Sequence, residues 1–186
     1  MTVIMEAPAG TTGDDRKRTT MNLTQHAATD ASMAQEIRTH HAAMVADLDR
    51  LAGALRDAEP ETRAGARVTL AKWFEDVLVP HADEEERTTY AAAAGLPEGR
   101  LLIEAMVREH VLIKRLVALC VQAPDGAVAA AYGRAVLATF DSHQSTENEI
   151  ILPLLLQAQG VSLAEVVGES HGHHHVHDGH QHGHQH

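Results

Sequence analysis

Six histidines stand outside the C-terminal end of the 186-residue chain, and four of them interrupt apolar stripes of helical period: His41, His81, His110 and His143. Two are followed one helical turn later by a glutamate, Glu85 after His81 and Glu147 after His143. Residues four apart on a helix share a face, roughly 5–6 Å apart at Cβ, so an imidazole and a carboxylate at that spacing can reach one metal ion together. The set of four imidazoles and two carboxylates suits iron, manganese or zinc better than the hard cations Ca²⁺ and Mg²⁺, and two carboxylates able to bridge suit a two-metal site.

One such histidine on a helix is more often hydrogen-bonded than metal-bound, and one HxxxE pair is as readily a surface pair. Four histidines in four separate helices reverse that preference. Without a metal, the interior would hold four imidazoles and two carboxylates with no evident donors to satisfy them. Neighbouring residues sort otherwise. His40 falls on a mostly polar face, and Glu84, Glu86 and Glu109 adjoin the set without sharing its stripe. They read as solvated charge, with a hydrogen bond to a ligand as the alternative for the three glutamates. Tyr90 comes nine residues after His81, on nearly the opposite side of a continuous helix, and Tyr132 lies roughly 16 Å along the axis from His143. Neither tyrosine is expected to be a ligand.

The elements that must position these groups are helices. Hydrophobic residues make up 44% of the chain but aromatic ones only 3%, a balance that favours packed helices over a β-sandwich. The first helix is expected to start near Asp30 or Ser32, with a capping box from Ser32 to Gln35, and to bury Ile37, His41, Met44, Leu48, Leu51 and Leu55. A second, opened by Pro60 and stopped at Gly95, carries Leu70, Phe74, Val77, His81 and Glu85. Pro80 removes a backbone donor there, which predicts a bend around residues 76–80 rather than an end. A third helix, opened by Pro97, carries Ile103, His110, Ile113, Val117 and Cys120. The fourth, after the breaker QAPDG, aligns Val136, Phe140, His143, Glu147, Ile150 and Leu154. Four amphipathic segments with short connections predict an all-α, up-down-up-down four-helix bundle over residues 30–158. A disordered leader over 1–29, a short helix or linker over 159–168 capped by Ser162, and a His-rich tail over 169–186 complete the expected organisation.

The ordered set H, HxxxE, H, HxxxE resembles a hemerythrin-like (HHE, cation-binding) domain. It is carried by His41 in IRTHHAAMVADLDRL, by HADEE at His81 to Glu85, by His110 in REHVLIKRL, and by HQSTENEIILP from His143. The resemblance spans about residues 30–158. It implies a non-haem di-iron centre, oxo- or hydroxo-bridged, with manganese as an alternative. Glu85 and Glu147 would bridge, and His41, His81, His110 and His143 would be terminal ligands. It also implies reactivity toward O₂, peroxide or NO. Oxygen-carrying hemerythrins place two histidines one turn apart on the third helix, whereas Met106 and Lys114 flank His110 here. Fewer protein donors leave open positions on the metals, which points to a di-iron oxidoreductase, peroxidase-, catalase- or oxidase-like, or to a gas or redox sensor.

Nine of the chain's 15 histidines fall between His171 and His186, in a composition that cannot pack a core but can hold Ni²⁺, Zn²⁺, Cu²⁺ or Fe²⁺ loosely. They carry a second expectation, metal storage, buffering or delivery. The formal charge of −11, with no basic block beyond DRKR, gives no footprint for nucleic acid or an anionic membrane. One cysteine and no signal-like start predict a cytoplasmic protein.

Overall fold

A computed structural model describes the backbone of residues 13–171 and the side chains of residues 25–168. These residues are helical, with no strand among them. Helix α1 runs Gly13–Asp57. The second segment comprises α2 (Pro60–Trp73), a π-helical turn π1 (Phe74–Leu78), α3 (Val79–Arg87) and α4 (Thr89–Ala94). Helix α5 (Arg100–Gln122) comes next, then α6 (Gly126–Thr146), a second π turn π2 (Glu147–Ile151), α7 (Leu152–Gln157) and α8 (Leu163–His171). None of these helices is long and apolar enough to cross a membrane.

The first helix starts earlier than expected. The stretch TTMNLTQHAATDAS contains no Pro or Gly to stop it, and Asp14 and Asp15 sit in the first turn, where carboxylates favour the positive end of the helix dipole. Neither Asp30 nor Ser32 therefore begins a helix, and the leader is helical from Gly13; residues 1–12 lie outside the described residues. Asp30 caps a different helix. Its Oδ1 accepts from Ser162 Oγ and from the Ala164 N–H, both at 2.9 Å, at the start of α8. Ser162 is in its expected place, its Oγ accepting from the Glu165 N–H at 3.4 Å.

Pro97 does not open α5. It lies in a turn closed by Leu96 N–H to Ala93 O and Gly99 N–H to Leu96 O, and the helix begins at Arg100. A Cβ on Gly99 would come within 1.9 Å of the Ala93 carbonyl oxygen, so only glycine permits this tight passage from α4 into the helix that carries His110. Asp125 caps α6 through the Val128 N–H.

Two apolar clusters flank the polar centre. The larger joins Met44, Leu48 and Leu55 of α1 with Leu70, Phe74, Ile113, Val136 and Phe140. The smaller joins Ala34 with Tyr90, Ile103, Met106, Ile151, Leu155 and Leu163. The four histidines and two glutamates occur between these clusters along every segment that contributes to them.

Both π turns are succeeded by a proline at the second position of the next helix, Pro80 and Pro153. A proline has no N–H for the carbonyl four residues back, and in each case the residue before it donates one place further, Val79 to Phe74 O and Leu152 to Glu147 O. The chain thus continues through Pro80 without ending, as expected. The wider turn shifts the buried apolar position by one residue where it occurs. Ile150 is 51% exposed while Ile151 is 1% exposed, and Leu155 is buried rather than Leu154. Likewise Leu78 is buried and Val77 only partly so.

Candidate metal centre

All six expected groups meet in the interior. Glu85 Oε1 lies 3.1 Å from His81 Nε2 and 3.3 Å from His41 Nε2, while its Oε2 is 3.5 Å from His110 Nε2. Glu147 Oε1 is 3.4 Å from His143 Nε2, and its Oε2 is 3.8 Å from His41 Nε2. The Nε2 atoms of His110 and His143 approach to 2.9 Å. Two groups of potential ligands result, His41/His81/Glu85 and Glu85/His110/His143/Glu147, each with its donor atoms within 4.8 Å of one another. Glu85 belongs to both. Donors held at about 2.1 Å from one ion are themselves roughly 3–3.5 Å apart, which matches most of these contacts.

The tautomers are set from outside the centre. His110 Nδ1 donates to Glu86 Oε1 and His143 Nδ1 to Glu109 Oε2, both at 2.9 Å, and His41 Nδ1 donates to Asn148 Oδ1 at 3.0 Å. With the proton on Nδ1, each Nε2 presents a lone pair inward, the arrangement a metal ligand needs. The supporting hydrogen bonds named as the alternative for Glu86 and Glu109 are therefore present. Glu86 also accepts from Lys114 Nζ at 3.3 Å. Asn148 carries no sequence signal of its own; it is the residue next to Glu147, and the π turn that begins at Glu147 contains both.

Several buried atoms of the centre have no hydrogen-bond partner: His41 Nε2, His81 Nε2, Glu85 Oε2 and Glu147 Oε2. Each such atom costs about 1–3 kcal/mol, more when charged. The paired lone pairs of His110 and His143 repel unless a proton or a metal ion lies between them. Cations held in the two groups would satisfy all of them, so the residues present fit a metal.

Burial opposes the charged forms, yet Glu85 raises the pKa of His81, and Glu147 with Glu109 raises that of His143. Burial also disfavours ionised Glu85, but His81, His110 and His41 together hold its carboxyl well below the usual carboxylate range.

Tyr90 corrects an expectation. Its hydroxyl donates to Glu147 Oε1 at 2.5 Å and lies 3.1 Å from His143 Nε2, and its ring stacks on His110 at 5.1 Å between centroids. The nine-residue spacing from His81 places it outward only if the helix is continuous. Thr88, at φ −115° and ψ −92°, interrupts the helix, and the hydroxyls of Thr88 and Thr89 turn back to the carbonyls of Glu84 and Glu85. The phase resets and Tyr90 turns inward, 2% exposed. Burial, then Glu147 and Glu85, raise its pKa, so the phenol stays protonated and donates. Neither residue flanking His110 by a turn adds a donor: Met106 packs in the smaller apolar cluster, and Lys114 pairs with Asp83 and Glu86. Tyr132 packs against the larger cluster, as its position along α6 implies.

The two groups differ in access. Every member of the Glu85/His110/His143/Glu147 group is buried, whereas His81 is partly exposed. A cleft of about 520 Å³ between α1 and α3 is lined by His41, His81 and Glu85, with His40, exposed as expected, on its wall. Burial and the neighbouring His81 and His41 lower the pKa of His40, leaving it a neutral imidazole at the cleft.

A family model described as the Hemerythrin HHE cation binding domain matches residues 32–155. No curated protein and no solved structure matches the chain.

Proposed function

From the premise that the chain belongs to the hemerythrin HHE cation-binding family, we propose that it holds a di-iron centre that reacts with O₂, peroxide or NO, as a redox enzyme or a gas or redox sensor. The observation that carries this reading is the sharing of Glu85 between two donor groups whose innermost atoms are buried without partners. His41, His81 and Glu85 would hold one ion, and His110, His143 and Glu147, with Glu85 again, the other. The four long helical segments act as an up-down-up-down four-helix bundle, which brings the HxxxE pairs of the second and fourth segments face to face. Manganese satisfies the same donor set.

Iron held there supplies electron transfer and open positions for small oxidants or NO. The protein supplies the surroundings. Glu86, Glu109 and Asn148 orient three imidazoles, and the apolar clusters on either side keep bulk water out. The Tyr90 hydroxyl holds Glu147 Oε1 and keeps one proton beside the buried group. The cleft beside His81 would be the way in for a diatomic molecule or peroxide. Cytoplasmic placement suits the free, buried Cys120. The test is direct: metal-loaded protein should consume peroxide, or change its optical spectrum on exposure to O₂ or NO. If it does neither, this reading is lost.

A second reading, metal storage or delivery, is favoured by the nine histidines from His171 to His186. Binding well beyond two ions per chain without any turnover would select it.

A further inference from the structure

Tyr90 stands among the ligand atoms rather than behind them. The groups that orient the imidazoles all touch Nδ1, the outward nitrogen: Glu86 on His110, Glu109 on His143 and Asn148 on His41. The Tyr90 hydroxyl instead meets His143 at Nε2, the inward one, at 3.1 Å, and Glu147 at Oε1. Atoms that share one ion stand roughly 3–3.5 Å apart, so the phenol oxygen keeps the spacing of a ligand to His143. Its contact to Glu147 is shorter, as suits a hydroxyl that still carries its proton. Once the His143 Nε2 lone pair is given to a metal, it can no longer accept from Tyr90.

The surroundings leave the hydroxyl no other employment. The ring lies nearly parallel to His110, 8° between planes, and packs in the smaller apolar cluster with Met106 and Ile151. On that side α5 brings a thioether, Met106, one turn before His110, and no further imidazole. The helix is interrupted at Thr88, between Glu85 and Tyr90, and that break turns the phenol inward. We propose that Tyr90 is a further protein donor of the centre, its oxygen binding the ion held by His110, His143 and Glu147 when that ion is trivalent iron. The inference rests on the metal-centre reading above and adds a ligand to it. With divalent iron, or none, the hydroxyl keeps its proton and its bond to Glu147. Trivalent iron takes the place of that proton: the O–H bond breaks, its electron pair stays on the phenolate oxygen and forms the Fe–O bond, and the proton leaves to solvent. An anionic oxygen added beside Glu85 and Glu147 favours the trivalent ion over the divalent one.

The test loads the full chain anaerobically with Fe²⁺ and oxidises it in air, dioxygen taking the electrons. A phenolate on trivalent iron gives a visible charge-transfer band whose resonance Raman spectrum contains tyrosine ring vibrations, which imidazole and carboxylate ligands cannot give. Those vibrations should shift when the protein is made with ring-deuterated tyrosine. The chain has two tyrosines, and Tyr132 packs in the larger apolar cluster, so Tyr132→Phe should keep the band while Tyr90→Phe loses it and retains its iron. The variant's reduction potential should also rise. Iron-loaded protein without tyrosine vibrations, or a band unchanged in Tyr90→Phe, would overturn the inference and leave the metal centre standing. Should Tyr90→Phe fail to hold iron, the isotope shift in the unaltered chain decides alone. A chain that retains no iron at all would overturn the metal-centre reading, and this inference with it.

Discussion

Tyr90 and Glu85 make the most specific demands on single residues. Tyr90→Phe removes the donor to Glu147 and keeps the ring that stacks on His110. Loss of a hydrogen bond to a buried charged group should lower the stability of the metal-free chain by about 1.5–3 kcal/mol in chemical denaturation; an unchanged midpoint would mean the hydroxyl is not engaged. The pH dependence has a definite sign. His81 and His143, raised above 6.5, stabilise the metal-free fold fully below that value, and the contribution is lost as pH rises through their higher folded values. Glu85, held below 4.5, adds stability that is present above 4.5 and lost as pH falls through its depressed folded value. Metal-free protein should therefore lose melting temperature as pH rises beyond the histidine range. Metal-loaded protein should gain over the same rise, because protons stop competing for the ligands. Melting curves at stepped pH, with and without metal, check this, and parallel trends would contradict it.

At the scale of elements, the sequence conveys the helices and misleads about their phase. Periodicity assumes 3.6 residues per turn, and it identifies Leu48, Phe74, His110 and Phe140 as inward because those residues precede any irregularity on their segments or sit on uninterrupted ones. From within the second π turn onward the assumption fails by one residue, which exchanges Ile150 for Ile151 and Leu154 for Leu155. Past Thr88 it fails by about half a turn, which hides Tyr90. Pro80 signals a local disturbance, and Pro153 carries the same signal, which a stripe drawn straight from Glu147 through Ile150 to Leu154 ignores. The register is testable by paired truncations. Ile151→Ala should cost about 2–5 kcal/mol, whereas Ile150→Ala should stay within about 0.5 kcal/mol. Equal losses in denaturant unfolding would argue for an uninterrupted α-helix there.

For the whole molecule, the six ligand candidates are legible because each is a polar residue set on an apolar stripe, and burying such residues requires a compensating partner. The outer hydrogen bonds from Glu86, Glu109 and Asn148 are less so, because they join residues on different helices and leave no mark on the spacing within one. The same logic makes metal a structural component: chelation should lower the melting temperature, since it returns four buried atoms to an unpartnered state. The centre's two-ion character is tested most directly by iron analysis of the full-length chain carrying glutamine for the nine C-terminal histidines, loaded anaerobically and followed by Mössbauer spectroscopy after O₂ exposure. We expect two irons per chain, coupled through shared Glu85, falling to one or none in the same protein with Glu85→Ala. A single iron, or two irons that persist without Glu85, would contradict the account.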